Sequence, residues 1–457
     1  MLCLSDSIRH DDPGVQRLLH TVDQAQTLTQ LILAVWPLAR ILAIHIIESV
    51  LAERALSPTF WPRCPTCGAC LRSKGFVQRQ VTSLFGPIRW RRWVGRCPQG
   101  CDTHYVAPLD DALGLQPHQR TSGELQYLGC ALAVFVPFAT AATLLSWYCG
   151  AAVSTRALWC WVQAAGKRAM VQLEAQLAAV ARGHEPTPEP LEADLAVLPL
   201  ALGADGVMVP FRPTAGQAAG KTRWREIKVG VLARLGRHHT RTGRVVVKLC
   251  HRRLVAVLGD IEALKPRLWL EALRQGITQA PKVVWLSDGG RGLWCLFDEL
   301  FSHYATGVLD FYHAVQNLWK GAAAWLDGRT TQARRWFAWA RHRLRHGRPA
   351  GVLADLAEAL DVEGLPNTAR DTLTTLYAYL DRHREHIDYA KYKDLGLPIG
   401  SGMVESACKW LIQQRFKGVG MRWSEAGFNH LLHLRLAWVN GSFEALFQVE
   451  TQVSPNT

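Results

Sequence analysis

The chain has 457 residues, of which 49% are hydrophobic, enough for two to four domains of about 100 to 200 residues. Lysine and arginine outnumber aspartate and glutamate by 52 to 38, and the formal charge of +14 attracts polyanions, nucleic acid first among them. Asp6, Asp11 and Asp12 lie where a signal peptide needs basic and apolar segments. We therefore expect a cytoplasmic protein whose 12 cysteines bind metal rather than form disulfides.

The first segment has apolar residues at helical spacing over residues 14–57, which predicts an N-terminal helical region within residues 1–60. Its most apolar stretch, residues 31–47, is interrupted by Pro37, Arg40 and His45 and is shorter than a membrane-spanning helix needs. We therefore expect no membrane partner.

Two pairs of cysteines lie in turns rich in Pro and Gly, CPTCGAC (64–70) and CPQGC (97–101). Thiolates two or three residues apart on a tight turn converge on one ion, and two such turns form a tetrahedral zinc site. The pattern predicts a zinc-ribbon domain over residues 61–110 with a structural Zn²⁺, and buried or free thiols are the alternative. The assigned ligands are Cys64, Cys67, Cys97 and Cys101, with Cys70 and His104 as possible substitutes.

The segment between the two pairs is β-like and alternates arginine with tryptophan, which suits a phosphate backbone. A solvated strand above packed tryptophans explains the pattern equally well. The arginines are Arg89, Arg91, Arg92 and Arg96. A helical DNA-binding or linker region is predicted next, over residues 111–185, and it runs into the Pro-rich acidic linker GHEPTPEPLEAD (183–194).

Short β-type runs follow the linker, and one of them bears on a possible nucleotide site. The sequence AGQAAGKT (215–222) resembles a phosphate-binding loop, which must continue into a helix. Ile227, Val229 and Val231 instead alternate with polar residues or glycine, which predicts a strand. We interpret the motif as a hairpin loop carrying basic residues, and we expect no ATP. Its basic residues are Lys221, Arg223 and Arg225.

Three carboxylates occupy unusual positions. Asp205 interrupts an apolar strand, Asp288 ends another at a Gly-Gly turn, and Glu405 begins a helix among small and apolar residues. Each has an ordinary explanation, as a turn residue or as a charge favoured by the helix dipole. Together they form a set that repels itself unless a divalent cation binds. Two Mg²⁺ or Mn²⁺ ions held by such carboxylates carry out phosphodiester chemistry.

The blocks ADGVMVPFRP (204–213), WLSDGGRG (285–292), VLDFYHA (308–314) and residues 400–438 resemble the ISKra-like bacterial insertion-sequence DDE transposases, which have an N-terminal zinc ribbon and are related to Mutator-like elements. The resemblance implies an α/β fold with a ribonuclease H-like core and an all-helical insertion. It implies a catalytic triad of Asp205, Asp288 and Glu405, with a motif in which Asp310 is followed by His313.

The implied boundaries begin with the first part of the ribonuclease H-like core at 195–313. The helical insertion then covers 314–395, because 117 residues separate Asp288 from Glu405, and the catalytic helix with the end of the core covers 396–445. His313 would orient the scissile phosphate or stabilise charge in the transition state. The alternative is a structural histidine at a strand end, whose hydrogen bonds are made within the protein.

Basic residues near these motifs are candidates for contacts with double-stranded DNA. The run 334–348 has six arginines and no acidic residue, unlike a solvated helix face, which mixes signs. Trp423 is either a core residue or a stacking platform. The full set of nucleic-acid candidates is Lys221, Arg223, Arg341, Arg345, Arg415, Lys417, Arg422 and Trp423.

The predicted function is that of a nucleoid-associated transposase that binds terminal inverted repeats, frees the 3′ ends and joins them to target DNA. We expect a homodimer or a higher oligomer. One alternative is a ribonuclease H-like nuclease or resolvase that cuts without joining. The other is a domesticated DNA-binding protein that keeps the fold.

Overall fold

The computed structural model describes residues 13–101, 105–213, 222–243 and 245–447. The chain divides into two compact units, one comprising residues up to Val162 together with Phe447 and the residues after it, and the other Gln163–Leu446. The boundary at Val162 falls inside the long helix Thr155–Ala181.

The first unit combines helices with one β-hairpin. Its second helix begins at a capping box, in which the Thr27 hydroxyl accepts from the Gln30 amide and the Gln30 side chain accepts from the Thr27 amide, both at 3.2 Å. Its elements are α1 (Pro13–Asp23), α2 (Leu28–Leu56), β1 (Arg72–Ser83), β2 (Gly86–Arg96), α3 (Pro108–Ala112), α4 (Gly123–Phe135), α5 (Phe138–Cys149) and the start of α6 (Thr155–Ala181).

Helix α2 agrees with the helical region predicted from apolar spacing. It continues for 29 residues, with Pro37, Arg40 and His45 inside it. Within the described ranges, α2 is the one helix whose length and composition would let it cross a membrane, and 6% of its most apolar window is buried. The expectation that this segment is shorter than a membrane-spanning helix was wrong, because the helix extends beyond residues 31–47 at both ends.

The second unit is built on a sheet with helices before, between and after its strands. Its elements are α7 (Ala193–Ala196), β3 (Leu200–Phe211), β4 (Arg223–His239), β5 (Val245–Leu258), α8 (Ile261–Arg274), β6 (Val283–Ser287), α9 (Arg291–Leu300), β7 (Thr306–Leu309), α10 (Phe311–Leu326), α11 (Thr331–Arg345), α12 (Pro349–Leu360), α13 (Asn367–Arg382), a 3-10 turn (Arg384–His386), α14 (Tyr389–Asp394), α15 (Gly402–Ala407), a π-helical segment (Cys408–Gln413), α16 (Gln414–Phe416), α17 (Glu425–Val439) and a 3-10 turn (Glu444–Leu446).

The described strands of this unit form a mixed five-stranded sheet in the order β5-β4-β3-β6-β7. Strands β3, β4 and β5 are antiparallel neighbours, while β6 is parallel to both β3 and β7. The alternation at 227–231 therefore predicted β4 correctly. Most of the motif before it, including Lys221, lies outside the described residues, and β4 begins at Arg223 directly after Thr222.

The helices between β7 and α15 confirm the helical pattern predicted for residues 314–395. They share one hydrophobic core with the sheet, in which Trp285 of β6 is fully buried and stacks on Phe301 at 5.4 Å between ring centroids. Leu376 and Leu380 of α13 belong to the same buried cluster. This packing brings α13 against the strand ends that carry the candidate site.

Candidate functional site

The four predicted zinc ligands form one cluster. The sulfur atoms of Cys64, Cys67, Cys97 and Cys101 all lie within 4.8 Å of one another, and those of Cys67 and Cys97 are 3.4 Å apart. Cys70 lies outside the cluster and directs its thiol to the Trp61 carbonyl at 3.9 Å. The other proposed substitute, His104, lies outside the described residues.

The hairpin β1–β2 explains why the two cysteine turns meet. Its antiparallel register ends on Arg72 opposite Arg96, so the turns that flank the hairpin come together at that end. Backbone N–H groups of Cys67 and Thr66 lower the pKa of Cys64 to about 6, and the Cys67 and Cys97 thiols raise that of Cys101 to about 12. Thiolates this close together repel one another unless a cation lies between them, so the cluster could hold Zn²⁺.

The ribbon arginines do not all face solvent. Arg92 is buried, and its guanidinium binds the Asp110 carboxylate at 3.0 Å and the Val77 carbonyl at 2.9 Å. Arg91 is exposed and lies over the Phe76 ring at 5.0 Å. Arg92 therefore stabilises the ribbon, and the interpretation of it as a phosphate contact was wrong.

The two predicted aspartates lie on adjacent parallel strands. Strand β3 pairs with β6 in a register that sets Gly203 opposite Leu286, and Asp205 and Asp288 each follow two residues later. Residues two apart point to the same side of a strand, and neighbouring strands lie about 4.8 Å apart. The register therefore brings the two carboxylates side by side near the end of β6.

The electrostatics of Asp205 agree with this arrangement. Burial raises its pKa, and the charge of Asp288 raises it further, while His313 and Lys228 lower it. The nearby Gly206 amide donates to its Oδ1 at 2.6 Å and also favours the ionised form. A carboxylate whose ionisation a neighbouring carboxylate disfavours belongs to a donor set suited to a divalent cation.

We expect Asp205→Asn to stabilise the metal-free protein at pH 7. The folded state holds the Asp205 proton more tightly than the unfolded chain, so the free energy of unfolding falls as the pH rises from the ordinary aspartate pKa to the raised one. Asparagine cannot ionise, so the variant does not lose this part of its free energy of unfolding as the pH rises. Urea unfolding in the presence of a chelator, at pH 4 to 8, measures the free energy of unfolding of both proteins. If the wild type is at least as stable as the variant at pH 7, the pKa of Asp205 is not raised in the folded state.

Helix α15 brings Glu405 to the same side of the sheet as Asp205. A Cβ on Gly203 would lie 2.5 Å from the Leu286 carbonyl oxygen and 2.7 Å from Val404, so only glycine allows α15 this close to β3. The buried Cys408 has its pKa raised to about 12 by burial and by the charges of Asp205 and Glu405. Cys408 therefore lies near both carboxylates.

The turn after Glu405 is a π-helical segment, a form that is frequent at functional sites. The widened turn leaves carbonyl groups for other donors, and the guanidinium of Arg435 on α17 binds those of Trp410 and Leu411 at 2.7 and 2.9 Å. Arg435 is buried, and burial lowers its pKa to about 10. This contact fixes the helix that follows Glu405.

Asp310 connects the strand ends to α15. One of its carboxylate oxygens accepts from the Tyr312 and His313 amides at 2.6 and 3.0 Å, and the other accepts from the Ser401 amide at 2.6 Å and from its hydroxyl. The Asp310 amide donates to the Ser287 carbonyl at 2.8 Å. Asp310 is buried and holds His313 near Asp205, so its role is to position the other site residues.

The three carboxylates do not form a closed metal cage in this conformation. Among the described residues, the four cysteines are the one group of potential ligands whose atoms all lie within 4.8 Å of one another. Glu405 instead accepts from Lys409 at 2.8 Å, and Asp288 accepts from the Gly290 amide at 3.0 Å. The donor types fit a hard divalent cation, and binding it would require Glu405 to leave Lys409.

Several predicted DNA-binding residues lie together at one end of the β3–β4 pair. Arg223 is opposite Phe211 in the sheet, and Trp423 forms a bridge to Phe211 from the other side. Lys417 lies over the exposed ring of Trp224 at 5.5 Å. Arg422 is also exposed beside this end, so the group contains three exposed cations.

One member of the predicted set is packed inside and another is half-buried. Arg415 is 2% exposed, lies over the Trp423 ring at 5.5 Å, and has its pKa lowered to about 10 by burial. Arg415 cannot meet a DNA strand from this position, so its proposed phosphate contact is not retained. Trp423 is half-buried and donates from its indole nitrogen to the Phe416 carbonyl at 2.9 Å, and its role as a stacking platform stays a prediction.

The basic helix α11 shows an exposed cationic face. It buries Ala333, Ala340 and Leu344, and its exposed residues include Arg334, Arg335, Arg341 and Arg345. The Arg345 guanidinium lies 5.8 Å from the Phe311 ring centre, two residues from His313. The C-terminal end of α11 therefore lies beside the first turn of α10, on which His313 is exposed.

These features define a mixed α/β protein with a cysteine cluster that could bind zinc and with three carboxylates gathered around the ends of β3 and β6. No family model matches the chain. It is similar to the UPF0236 protein in the vanSb 3′ region of Streptococcus gallolyticus, at 25% identity over 382 residues that cover 81% of this chain and 74% of the relative.

In structure, the chain is similar to the Drosophila P element transposase strand transfer complex, with a TM-score of 0.32 and 11% identity, over 73% of this chain and 95% of the other. At this TM-score the likeness carries no argument about fold or function.

The site also contains residues that the sequence did not point to. Tyr379 of α13 contacts the turn at Asp288, Cys408 lies near Asp205 and Glu405, and Lys409 pairs with Glu405. Tyr379 carried no local signal, because it lies in an ordinary amphipathic helix 91 residues after Asp288. Lys409 follows Glu405 by four residues, and this spacing on a helix could have predicted their ion pair.

Proposed function

We propose that this protein is an insertion-sequence DDE transposase of the ISKra-like, Mutator-related kind, which cleaves and joins DNA with Asp205, Asp288 and Glu405 as its catalytic carboxylates. The observation that carries the proposal is the register of β3 and β6. It places Asp205 and Asp288 next to each other on parallel strands, on the side of the sheet where α15 packs.

The topology supports a ribonuclease H-like core. Three antiparallel strands come first along the chain, and two parallel strands extend the sheet from the first of them. Asp205 lies on the first core strand, Asp288 after the fourth and Glu405 on a late helix. This is the order of carboxylates expected of that fold, with helices α10–α14 as the inserted region.

The proposed chemistry assigns a role to each residue. Magnesium or manganese bound between the carboxylates would supply Lewis acid activation of a water or a DNA 3′-hydroxyl. Asp205 and Asp288 would hold the metal at the strand ends, and Glu405, which contacts Lys409 here, would join them as a third ligand. His313, held by Asp310 near Asp205, donates to a phosphate oxygen and favours the charge that develops there.

Two basic surfaces support double-stranded DNA as the partner. One lies at the end of the β3–β4 pair and carries Arg223, Lys417 and Arg422. Lys221, two residues before Arg223 in the sequence, stays a candidate for the same contact. The other is the exposed face of α11, which ends at Arg345 beside the helix of His313. We infer that phosphates of the bound ends contact both, in a nucleoid-associated homodimer or higher oligomer.

We expect Arg341→Ala to weaken DNA binding and to make it less dependent on salt. Loss of one phosphate contact lowers the slope of log affinity against log salt by about 0.9. Fluorescence anisotropy across a potassium chloride series measures the slope. Arg329→Ala is the matched control, because Arg329 is paired with Asp327 at 2.8 Å in the connection before α11. If log affinity falls with log salt at the same slope for Arg341→Ala as for wild type, the proposed DNA contact of α11 is wrong.

The test of the proposed function is strand transfer. Duplex oligonucleotides copied from the DNA that flanks the reading frame, recessed to expose a 3′-hydroxyl, are incubated with the zinc-loaded full chain, Mg²⁺ and a target plasmid. Joined product is the expected result. Cutting without joining would establish a nuclease or resolvase, and DNA binding without either would establish a domesticated DNA-binding protein.

A further inference from the structure

The turn that carries Asp288 rests on the inserted helices. Its backbone is held by the Trp294 indole nitrogen, which donates to the Asp288 carbonyl at 2.7 Å. On its other side is the Tyr379 ring of α13: a Cβ on Gly289 would lie 1.9 Å from Tyr379 Cε2. Glycine is required at this position, because any side chain would push the turn away from α13.

The hydroxyl of Tyr379 is buried beside Asp288. The Asn317 side chain of α10 lies beside the phenol oxygen, while the hydroxyl hydrogen has no acceptor among the described residues. Burial raises the pKa of Tyr379 above its usual range, the charges of Asp288 and Asp310 raise it further, and the Asn317 side chain lowers it. The phenol therefore keeps its proton and remains a hydrogen-bond donor throughout the physiological pH range.

The surroundings of the hydroxyl limit where it can donate. His383 of the same region is buried, and burial lowers its pKa to about 4, so it is neutral and a weaker acceptor than a carboxylate. The buried hydroxyl of Tyr389, which makes no hydrogen bond within the described ranges, is also a weaker acceptor than a carboxylate. The Asp288 and Asp310 carboxylates are the charged groups that act on the phenol, and Asp310 already accepts from Ser401, Tyr312 and His313. Asp288 is therefore the charged group that can still accept a hydrogen bond from the phenol.

We propose that Tyr379 is a positioning residue for Asp288, donating its hydroxyl hydrogen to one carboxylate oxygen so that the other is directed to a divalent cation. The inference rests on the proposed function, because it presupposes that Asp288 binds metal. Carboxylates that bind metals are commonly oriented by such outer partners. The donor comes from α13, so the helical insertion helps to build the metal site as well as carrying the basic face of α11.

The test measures metal affinity rather than turnover. Mn²⁺ binding to the zinc-loaded full chain is followed by the electron paramagnetic resonance signal of free Mn²⁺ in wild type, Tyr379→Phe, Tyr377→Phe and Asp288→Asn. Phenylalanine keeps the ring against Gly289 and removes only the hydroxyl. We expect Tyr379→Phe to bind Mn²⁺ about 10-fold more weakly, as loss of an outer partner does, with an unchanged metal-free melting temperature.

Tyr377→Phe is the matched control, since Tyr377 lies on the same helix, is half-buried and points away from Tyr379. It should bind Mn²⁺ as wild type does. Wild-type affinity in Tyr379→Phe, or a fall in melting temperature without a loss of affinity, overturns the inference. If Tyr379→Phe does not fold, Asn317→Ala replaces it, because the Asn317 side chain acts on the phenol oxygen and helps to orient it. The expected direction is the same, and wild-type affinity there overturns the inference too.

The same experiment separates this inference from the proposed function. If wild type has no Mn²⁺ site that Asp288→Asn removes, the proposed metal-dependent function fails. If Asp288→Asn removes the site and Tyr379→Phe leaves it intact, the function stands and the role of Tyr379 is refuted.

Discussion

Asp288→Asn should reduce strand transfer by more than the roughly 100-fold that loss of an outer-shell partner of a metal ligand costs. The amide keeps the size of the side chain and can still accept from the Gly290 amide, so the turn at Asp288 is preserved. It loses the negative charge that a divalent cation needs from this position. Joined product per unit time, measured with the pre-cleaved duplex under single-turnover conditions, gives the effect.

The matched control for this substitution is Asp298→Asn on α9. Asp298 is exposed ten residues after Asp288 and lies outside the carboxylate set, so its variant should join DNA at the wild-type rate. DNA binding by both variants should equal that of the wild type, because neither residue is in a basic surface. Undiminished strand transfer by Asp288→Asn would exclude the proposed active site whatever the fold.

Zinc removal should unfold the ribbon formed by residues 61–101. Binding of a structural zinc contributes roughly 10 to 16 kcal/mol to the folding of small domains. The few buried residues around the cysteines form too small a core to replace it. Cys97→Ser should therefore lower the zinc content to near zero and abolish the protection of the β1–β2 amides in hydrogen exchange. Zinc is measured by mass spectrometry of the dialysed protein, and exchange is measured on the same sample.

Cys70→Ser separates a zinc effect from the loss of any thiol. Cys70 lies in the same turn as Cys64 and Cys67 but outside their cluster, so its variant should retain one zinc per chain and the wild-type exchange pattern. A Cys97→Ser protein that kept its zinc would show that the ligand set is wrong. A metal-free wild type with fully protected strands would show that zinc does not fold the ribbon.

The predictions that were confirmed depended on short-range patterns. The cysteine set followed from spacing in two turns, and β4 followed from the alternation at 227–231. The helices after β7 followed from apolar periodicity. The expectation that residues 31–47 are shorter than a membrane-spanning helix was wrong, since α2 continues through Pro37 for 29 residues. The catalytic roles of Asp205, Asp288 and Glu405 stay predictions.

Burial was the property that the sequence did not reveal. Arg92 and Arg415 read as cations available to DNA, yet the first binds Asp110 and the second lies under Trp423. A basic residue in a polar run has the same local pattern whether it faces solvent or a partner inside the protein. Only the packing of distant segments decides between them.

The sequence by itself determined the four-cysteine set that could bind zinc, most strands and helices, and the three carboxylates as a candidate site. These depend on turn chemistry, periodicity and the cost of a charge in an apolar run, all of which act over a few residues. The tertiary structure decided that Asp205 and Asp288 share a register, that α15 packs against β3 at Gly203, and that Tyr379 lies against the turn after Asp288. Those relations join residues far apart in the chain, whereas Glu405 and Lys409 are four residues apart on one helix.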